Sequence, residues 1–237
     1  MLGQITNLIS KLTGKSHFCP ICNNSIRAFL PFGVHPRDNA LCPICGSLER
    51  HRFLYYFLKN NSNIFKKSGR LIHFSPEKYL ETRFKSNNKI EYVTADLERS
   101  DVMCKIDITK MPFEDYYFDN IICVHVLEHV KDDGKAMREL YRVLKPDGSL
   151  FVQVPISGNK TDEDFNITTE EARLARYGQK DHVRRYGIDI EIRLKKAGFN
   201  VKLVDFVKHL DKKLIKRYSL IPQNKKTDYL FLCTKTK

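Results

Sequence analysis

The chain has 237 residues, of which 42% are hydrophobic, with 11 glycines and 9 prolines, enough for one full core and a small appendage. No apolar run approaches the roughly 20 residues that cross a bilayer, and the start lacks the basic, then continuously apolar pattern of a signal peptide, so a cytoplasmic protein is expected. The formal net charge of +13 favours anionic partners, whether RNA, a phosphorylated or acidic glycan, or an anionic membrane surface, but charge alone gives no specificity.

Leu2, Ile5, Leu8, Ile9 and Leu12 fall at helical spacing ahead of Gly14, predicting a short amphipathic helix with a glycine stop. Cys19-Pro-Ile-Cys22 and Cys42-Pro-Ile-Cys45 follow, separated by a spacer within the range of a four-cysteine zinc site. Each C-x-x-C turn brings two thiolates to one ion, and two turns complete a tetrahedron. Cys19, Cys22, Cys42 and Cys45 are therefore the expected zinc ligands, and four protein ligands leave no open position, which makes the metal structural. Arg50, His51 and Arg52 come directly after, either to meet phosphate at a helix start or to lie exposed. A helix is expected over 47–59 and a linker over 60–63.

From residue 70 the pattern alternates. Strands are expected at 71–74, 90–94, 120–126, 149–154, 199–206 and 229–234, with helices at 77–85, 133–144 and 187–197. Short apolar strands alternating with helices predict an α/β, Rossmann-like, doubly wound domain with a mostly parallel, seven-stranded sheet. The expected division is 1–65 for the terminal helix, zinc-binding subdomain and connecting helix, and 66–237 for the sheet domain.

The densest signal lies in DITKMPF (107–113), FD (118–119), LEH (127–129) and RVLKPDG (142–148). These segments resemble the motifs of the class I S-adenosylmethionine-dependent methyltransferases, in the broad type 11-like group, with Met111 and Asp147 as mild departures. The resemblance implies S-adenosylmethionine as cofactor and a general methyltransferase activity. It places Asp96, with Leu97 beside it, at the cofactor ribose; Asp107 and Ile108 at the adenine; and Val124 and His125 at the crevice ending the central strand. His73, Ser75 and Glu77 lie across the position of the family's glycine-rich loop, which here has no glycine. Ser75, Pro76 and Glu77 read instead as a helix start: cap, first-turn proline and first-turn acid. The backbone N–H groups of such a start could receive the cofactor carboxylate, and Glu77 its ammonium group.

HVLEH (125–129) also fits the H-x-x-E-H pattern of an inverted zinc protease, but that chemistry needs both histidines on one helix face and His125 ends an apolar strand. Glu128 and His129 are read as fixing the loop after the strand. The segment DHVRRYG (181–187) resembles the family's acceptor-side segment; His182 is a candidate general base, and His125 a second, against a reading in which His182 and Tyr186 merely close the pocket. The expected acceptor is a small molecule or glycan, methylated on oxygen or nitrogen. The alternatives are an RNA methyltransferase and a non-catalytic zinc-ribbon binding protein on a degenerate methyltransferase fold.

Overall fold

The computed structural model describes residues 14–33, 36–204, 206–222 and 229–235. The expected helix before Gly14 lies outside the described residues. The chain forms two compact units: Met1–Lys66 with Glu77–Asn87 and Asp205–Asp228, and Lys67–Pro76 with Asn88–Val204 and Tyr229–Lys237. The division is therefore not a single cut near residue 65, because two later segments join the first unit.

In the first unit, β1 (His17–Cys19) pairs with β2 (Asn24–Ile26), and β3 (Leu30–Phe32) pairs with β4 (Arg37–Leu41), both antiparallel. Helix α1 (Glu49–Asn61) buries Phe53, Leu54, Phe57 and Leu58 on one face, and α2 (Lys78–Lys85) buries Leu80 and Phe84. Phe84 stacks on Phe65 with centroids 4.9 Å apart. The linker expected from residue 60 is still helix up to Asn61, where Ser62 Oγ donates to the Leu58 carbonyl and closes the last turn.

The second unit contains the seven-stranded sheet. It comprises β5 (Gly69–Phe74), β6 (Ile90–Asp96), β7 (Cys104–Lys105), β8 (Phe118–Val124), β9 (Leu144–Gln153), β12 (Phe199–Val204) and β13 (Leu230–Lys235). The spatial order is β12-β13-β9-β8-β5-β6-β7, parallel from β9 to β7, with β13 antiparallel to both of its neighbours. Chain order reverses between β5 and β8, which creates a crevice at their C-terminal ends. Helix α3 (Asp133–Val143) buries Ala136, Met137, Leu140 and Val143 in one stripe; its N-cap Asp132 accepts from the Lys135 N–H. Asp147, standing where the family motif has glycine, takes a left-handed φ of 63°. At the next position, a Cβ on Gly148 would lie 2.8 Å from Leu144 Cδ1, so only glycine fits there.

Several elements had no counterpart in the sequence reading. Helix α4 (Glu170–Tyr177) is capped by Thr169 and ends at Gly178, and on either side of it β10 (Asp162–Glu163) and β11 (Arg184–Arg185) pair antiparallel. Helix α5 (Ile190–Lys196) begins three residues later than expected, with Gly187 packed against Lys160 before it. Helix α6 (Lys212–Tyr218), in the first unit, was likewise not anticipated.

Candidate functional site

The four cysteines converge in the first unit. Each knuckle is closed the same way: the N–H of Asn23 donates to the Cys19 carbonyl and that of Gly46 to the Cys42 carbonyl, both at 2.9 Å, and both donors have a left-handed φ. The cross-knuckle sulfur distances are 3.7 Å for Cys19–Cys45 and 3.9 Å for Cys22–Cys42. Four sulfurs on a tetrahedral shell at about 2.3 Å from zinc would lie about 3.8 Å apart, so the cage has the size zinc requires. Ser47 Oγ lies 3.4 Å from Cys19 Sγ and 3.2 Å from Cys45 Sγ, poised to donate to thiolates. Hydrogen bonds from Cys42 and Cys45 hold the Cys19 thiol well below its ordinary range, while burial pushes Cys22 up to about 11.

Of Arg50-His51-Arg52, the last two are buried against protein partners and Arg50 is half-buried. Arg52 is completely buried and donates to the carbonyls of Ser47, Ala40, Tyr218 and Ser219. Burial pulls its guanidinium down to about 10, so it remains a cation at neutral pH, and it lies in the field of Cys19, Cys42 and Cys45. Four thiolates around one zinc would carry net negative charge, which Arg52 is placed to compensate from inside the unit. His51 is buried too: its Nδ1 accepts from the Leu48 N–H and meets the Tyr79 hydroxyl, and its Nε2 is 3.7 Å from Glu77 Oε1.

The second unit holds a crevice of about 730 Å³ at the C-terminal ends of β5, β6 and β8, within the usual size of a small-molecule pocket. Ser75, Asp96, Leu97, Asp107, Ile108 and His125 line it, together with Arg99, Lys131, Arg173 and Asp181, which sequence reasoning did not single out. The remaining residues assigned to the cofactor are placed elsewhere. His73 is fully buried and its Nδ1 is 2.9 Å from the Tyr92 hydroxyl; Val124 is buried in its strand; and Glu77 is turned to His51.

Ser75 is not a helix cap, and Pro76 does not open the helix. Helix α2 begins at Lys78 with Glu77 as N-cap, and Ser75 takes a φ of 46°. Its N–H donates to the Ala95 carbonyl and its hydroxyl to Asp96 Oδ2 at 2.6 Å. A serine thus performs the left-handed turn that glycine makes elsewhere, and the bond to Asp96 helps offset the steric cost. Asp96 Oδ1 accepts from the N–H groups of Glu98 and Arg99. Burial would raise the Asp96 carboxyl, but the bonds from Arg99, Ser75 and Glu98 outweigh it and the net displacement is downward. With two lone-pair positions per oxygen, Oδ1 is filled and Oδ2 retains one. Across the crevice, Asp107 Oδ1 accepts from the Thr109 N–H, beside buried Ile108. Leu97 is 57% exposed, an apolar side chain that a planar ligand in the crevice would cover.

Strand β8 ends on a second left-handed residue, His125, with φ 53°. Two non-glycine residues in that region thus line the same crevice. His125 Nδ1 lies 3.2 Å from Glu128 Oε1, and His129 Nδ1 lies 3.0 Å from Asp181 Oδ2. His182 is 4% exposed and is not part of the crevice lining; burial lowers its pKa below the ordinary imidazole value. Tyr186 is completely buried and donates to Asp133 Oδ2, so it supports the fold and does not close the pocket.

Residues 72–152 match a family model described as a methyltransferase domain. Among curated proteins, the chain is 42% identical over 64 residues to the sterol 4-C-methyltransferase strm-1 of Caenorhabditis elegans, covering 26% of this chain and 19% of that protein. It is 28% identical over 137 residues to the ubiquinone/menaquinone biosynthesis C-methyltransferase UbiE of Pectobacterium carotovorum, covering 52% of this chain and 50% of that one. The chain thus spans half or less of the length of these relatives. Among solved structures, an S-adenosylmethionine-dependent methyltransferase from Archaeoglobus fulgidus superimposes with a TM-score of 0.52 at 15% identity, over 80% of this chain and 95% of that one. Phosphoethanolamine N-methyltransferase 2 of Haemonchus contortus gives a TM-score of 0.54 at 16% identity, over 79% of this chain and 53% of that one. At such identities the likeness is one of fold. Sheet order and sequence match agree: residues 72–152 are similar to a methyltransferase domain, on a fold shared with S-adenosylmethionine-dependent methyltransferases, and the chain also has four cysteines placed as a zinc ribbon would place them.

Proposed function

We propose that the crevice binds S-adenosylmethionine and that the protein transfers its methyl group to an oxygen or nitrogen of a small-molecule or glycan-type acceptor. The observation that carries this reading is the Ser75–Asp96 lock at the strand-order reversal, which rebuilds the cofactor turn without glycine and leaves one Asp96 lone pair for a ribose hydroxyl. Asp107 is suited to accept from an adenine amino group, with Ile108 and Leu97 against the ring. S-adenosylmethionine would supply a methyl group on a cationic sulfur: in-line displacement breaks that C–S bond, forms the C–O or C–N bond, leaves a neutral thioether, and passes the positive charge to the acceptor, which releases a proton to water. The protein's task is then alignment in a crevice, without an obligatory acid or base. His125 and His129 both line the crevice and are available to an acceptor, whereas His182 lies outside that lining. Structural zinc on Cys19, Cys22, Cys42 and Cys45 holds the first unit together.

Calorimetry with S-adenosylmethionine and S-adenosylhomocysteine on the zinc-loaded full chain tests the reading: micromolar binding is expected, and absence of binding by both would sink it. A second reading, an RNA acceptor, is favoured by one observation. Most of the formal net charge of +13 falls in the segments of the first unit, including Lys208, Lys212, Lys213, Lys216 and Arg217. A steep fall of affinity for bulk RNA with salt would support it, and a flat response would remove it. Tight binding of the homocysteine product without turnover on any acceptor class would instead favour the non-catalytic alternative.

A further inference from the structure

A polar cluster beside the crevice is not accounted for by cofactor binding. A carboxylate oxygen of Glu128 and one ring nitrogen each of His129 and His182 lie within 4.8 Å of one another. Glu128 is 1% exposed; its Oε1 is held by His125 Nδ1, while its Oε2 is buried with no hydrogen-bond partner among the described residues. A buried, half-satisfied carboxylate is costly unless something else takes its charge. We infer that Glu128, His129 and His182 form a second metal site, separate from the four cysteines, that takes a divalent first-row transition ion.

The donor set fits such an ion. Two imidazoles and one carboxylate suit zinc, iron, cobalt or nickel and leave open positions; magnesium and calcium prefer oxygen alone. Asp181 holds His129 Nδ1, which fixes the tautomer that leaves Nε2 free as a ligand, in the manner of carboxylate–histidine–metal triads. Ligands about 2.1 Å from an ion lie about 3.4 Å apart, so side-chain shifts of about 1 Å would close the cluster.

The surrounding backbone is already braced for this. Glu128 and His182 are 54 positions apart in sequence, and the Val183 N–H donates to the Glu128 carbonyl at 3.0 Å. The fully buried Arg184 guanidinium donates to the carbonyls of Leu127, Val130 and Lys131, pinning the two segments together. His129 and Asp181 both line the crevice, so an ion on this cluster would reach it with its open positions, where an acceptor oxygen could bind. Only that role in transfer rests on the methyltransferase reading; binding of the ion does not.

The test is a cobalt titration of full chain brought to one equivalent of zinc by metal analysis, so that only the four cysteines are filled, followed by calorimetry and visible absorption. One further equivalent is expected to bind at micromolar concentration, with weak d–d bands and without the strong near-ultraviolet absorption of thiolate-bound cobalt. His129→Ala and His182→Ala should each weaken it at least tenfold. Should His182→Ala fail to fold by circular dichroism, the partly exposed His129 decides alone through His129→Ala. Absence of cobalt binding below millimolar concentration, thiolate-type spectra for the added equivalent, or unchanged affinity in His129→Ala would overturn the inference. S-adenosylhomocysteine titrated into the same preparations separates the two claims: cofactor binding without a second ion refutes only the metal site, and a second ion without cofactor binding refutes only the cofactor reading.

Discussion

Ser75 permits a test in which the sign of an effect, more than its size, decides. At an ordinary backbone angle, glycine is about 0.5–1 kcal/mol less stable than alanine because it loses more conformational freedom on folding. At the observed φ of 46° a side chain instead costs roughly 1–2 kcal/mol, which glycine avoids. Both Ser75→Gly and Ser75→Ala lose the 2.6 Å bond to the Asp96 carboxylate, a charge-assisted bond of about 1.5–2 kcal/mol. Ser75→Ala keeps the backbone strain and should therefore lose about 2 kcal/mol. Ser75→Gly recovers the strain, less its own entropy, and should lose only about 1 kcal/mol. Urea unfolding followed by far-ultraviolet circular dichroism at pH 7 measures both. Alanine more stable than glycine at this position would refute the left-handed turn, and with it the claim that serine stands in for a glycine loop.

Other consequences are checked as directly. Asp96→Asn should weaken S-adenosylhomocysteine binding about 10- to 100-fold, the value of a hydrogen bond to a charged group, as read by calorimetry. Arg52→Met leaves several buried carbonyls without their donor and removes the cation beside the thiolates; a loss of about 3–5 kcal/mol is expected, with zinc lost to a chelator at lower chelator concentration. Zinc removal should open the amides of β1 to β4 to hydrogen exchange while those of β5, β8 and β9 stay protected. For Glu163, burial raises the carboxyl but the bonds from Arg193 and Arg184 outweigh it, so its folded pKa lies below the unfolded value. It contributes stability above the unfolded pKa of about 4.3 and loses it as pH falls through the folded value, so Glu163→Gln should flatten the acid limb of a stability–pH profile.

The sheet was legible because its strands are short, mostly apolar runs bounded by turns: 120–124 reads as a buried strand, and 71–74 pairs with it in parallel. Helix α4 was not anticipated: it is only eight residues long, and Tyr177 is its sole buried residue. The hairpins of the first unit were hidden for a related reason. Their strands are only three to five residues long; the first cysteine turn links β1 to β2, and the second follows β4. Residues 77–87 and 205–228 joined that unit through contacts such as Arg83 to the Ile21 carbonyl and Arg52 to the Ser219 carbonyl, which no local pattern announces.

Within the crevice, Asp96 and Asp107 were legible because their spacing after successive strands is fixed by the fold, whereas Asp181, Arg184 and the position of His182 depend on a segment more than fifty residues from the loop they brace. The glycine-free loop is the most instructive case. Its residues suit a helix start, and local propensity alone favours that reading. The structure departs from it because the turn requires a left-handed angle at residue 75, and Ser75 accepts that angle with a hydrogen bond to Asp96 as support. Asp147 does the same at the position of another family glycine. What these positions require physically is a backbone angle, and glycine is only the least strained way to reach it. A missing glycine is therefore weak evidence for a lost site wherever a short polar side chain holds the angle and finds a partner beside it.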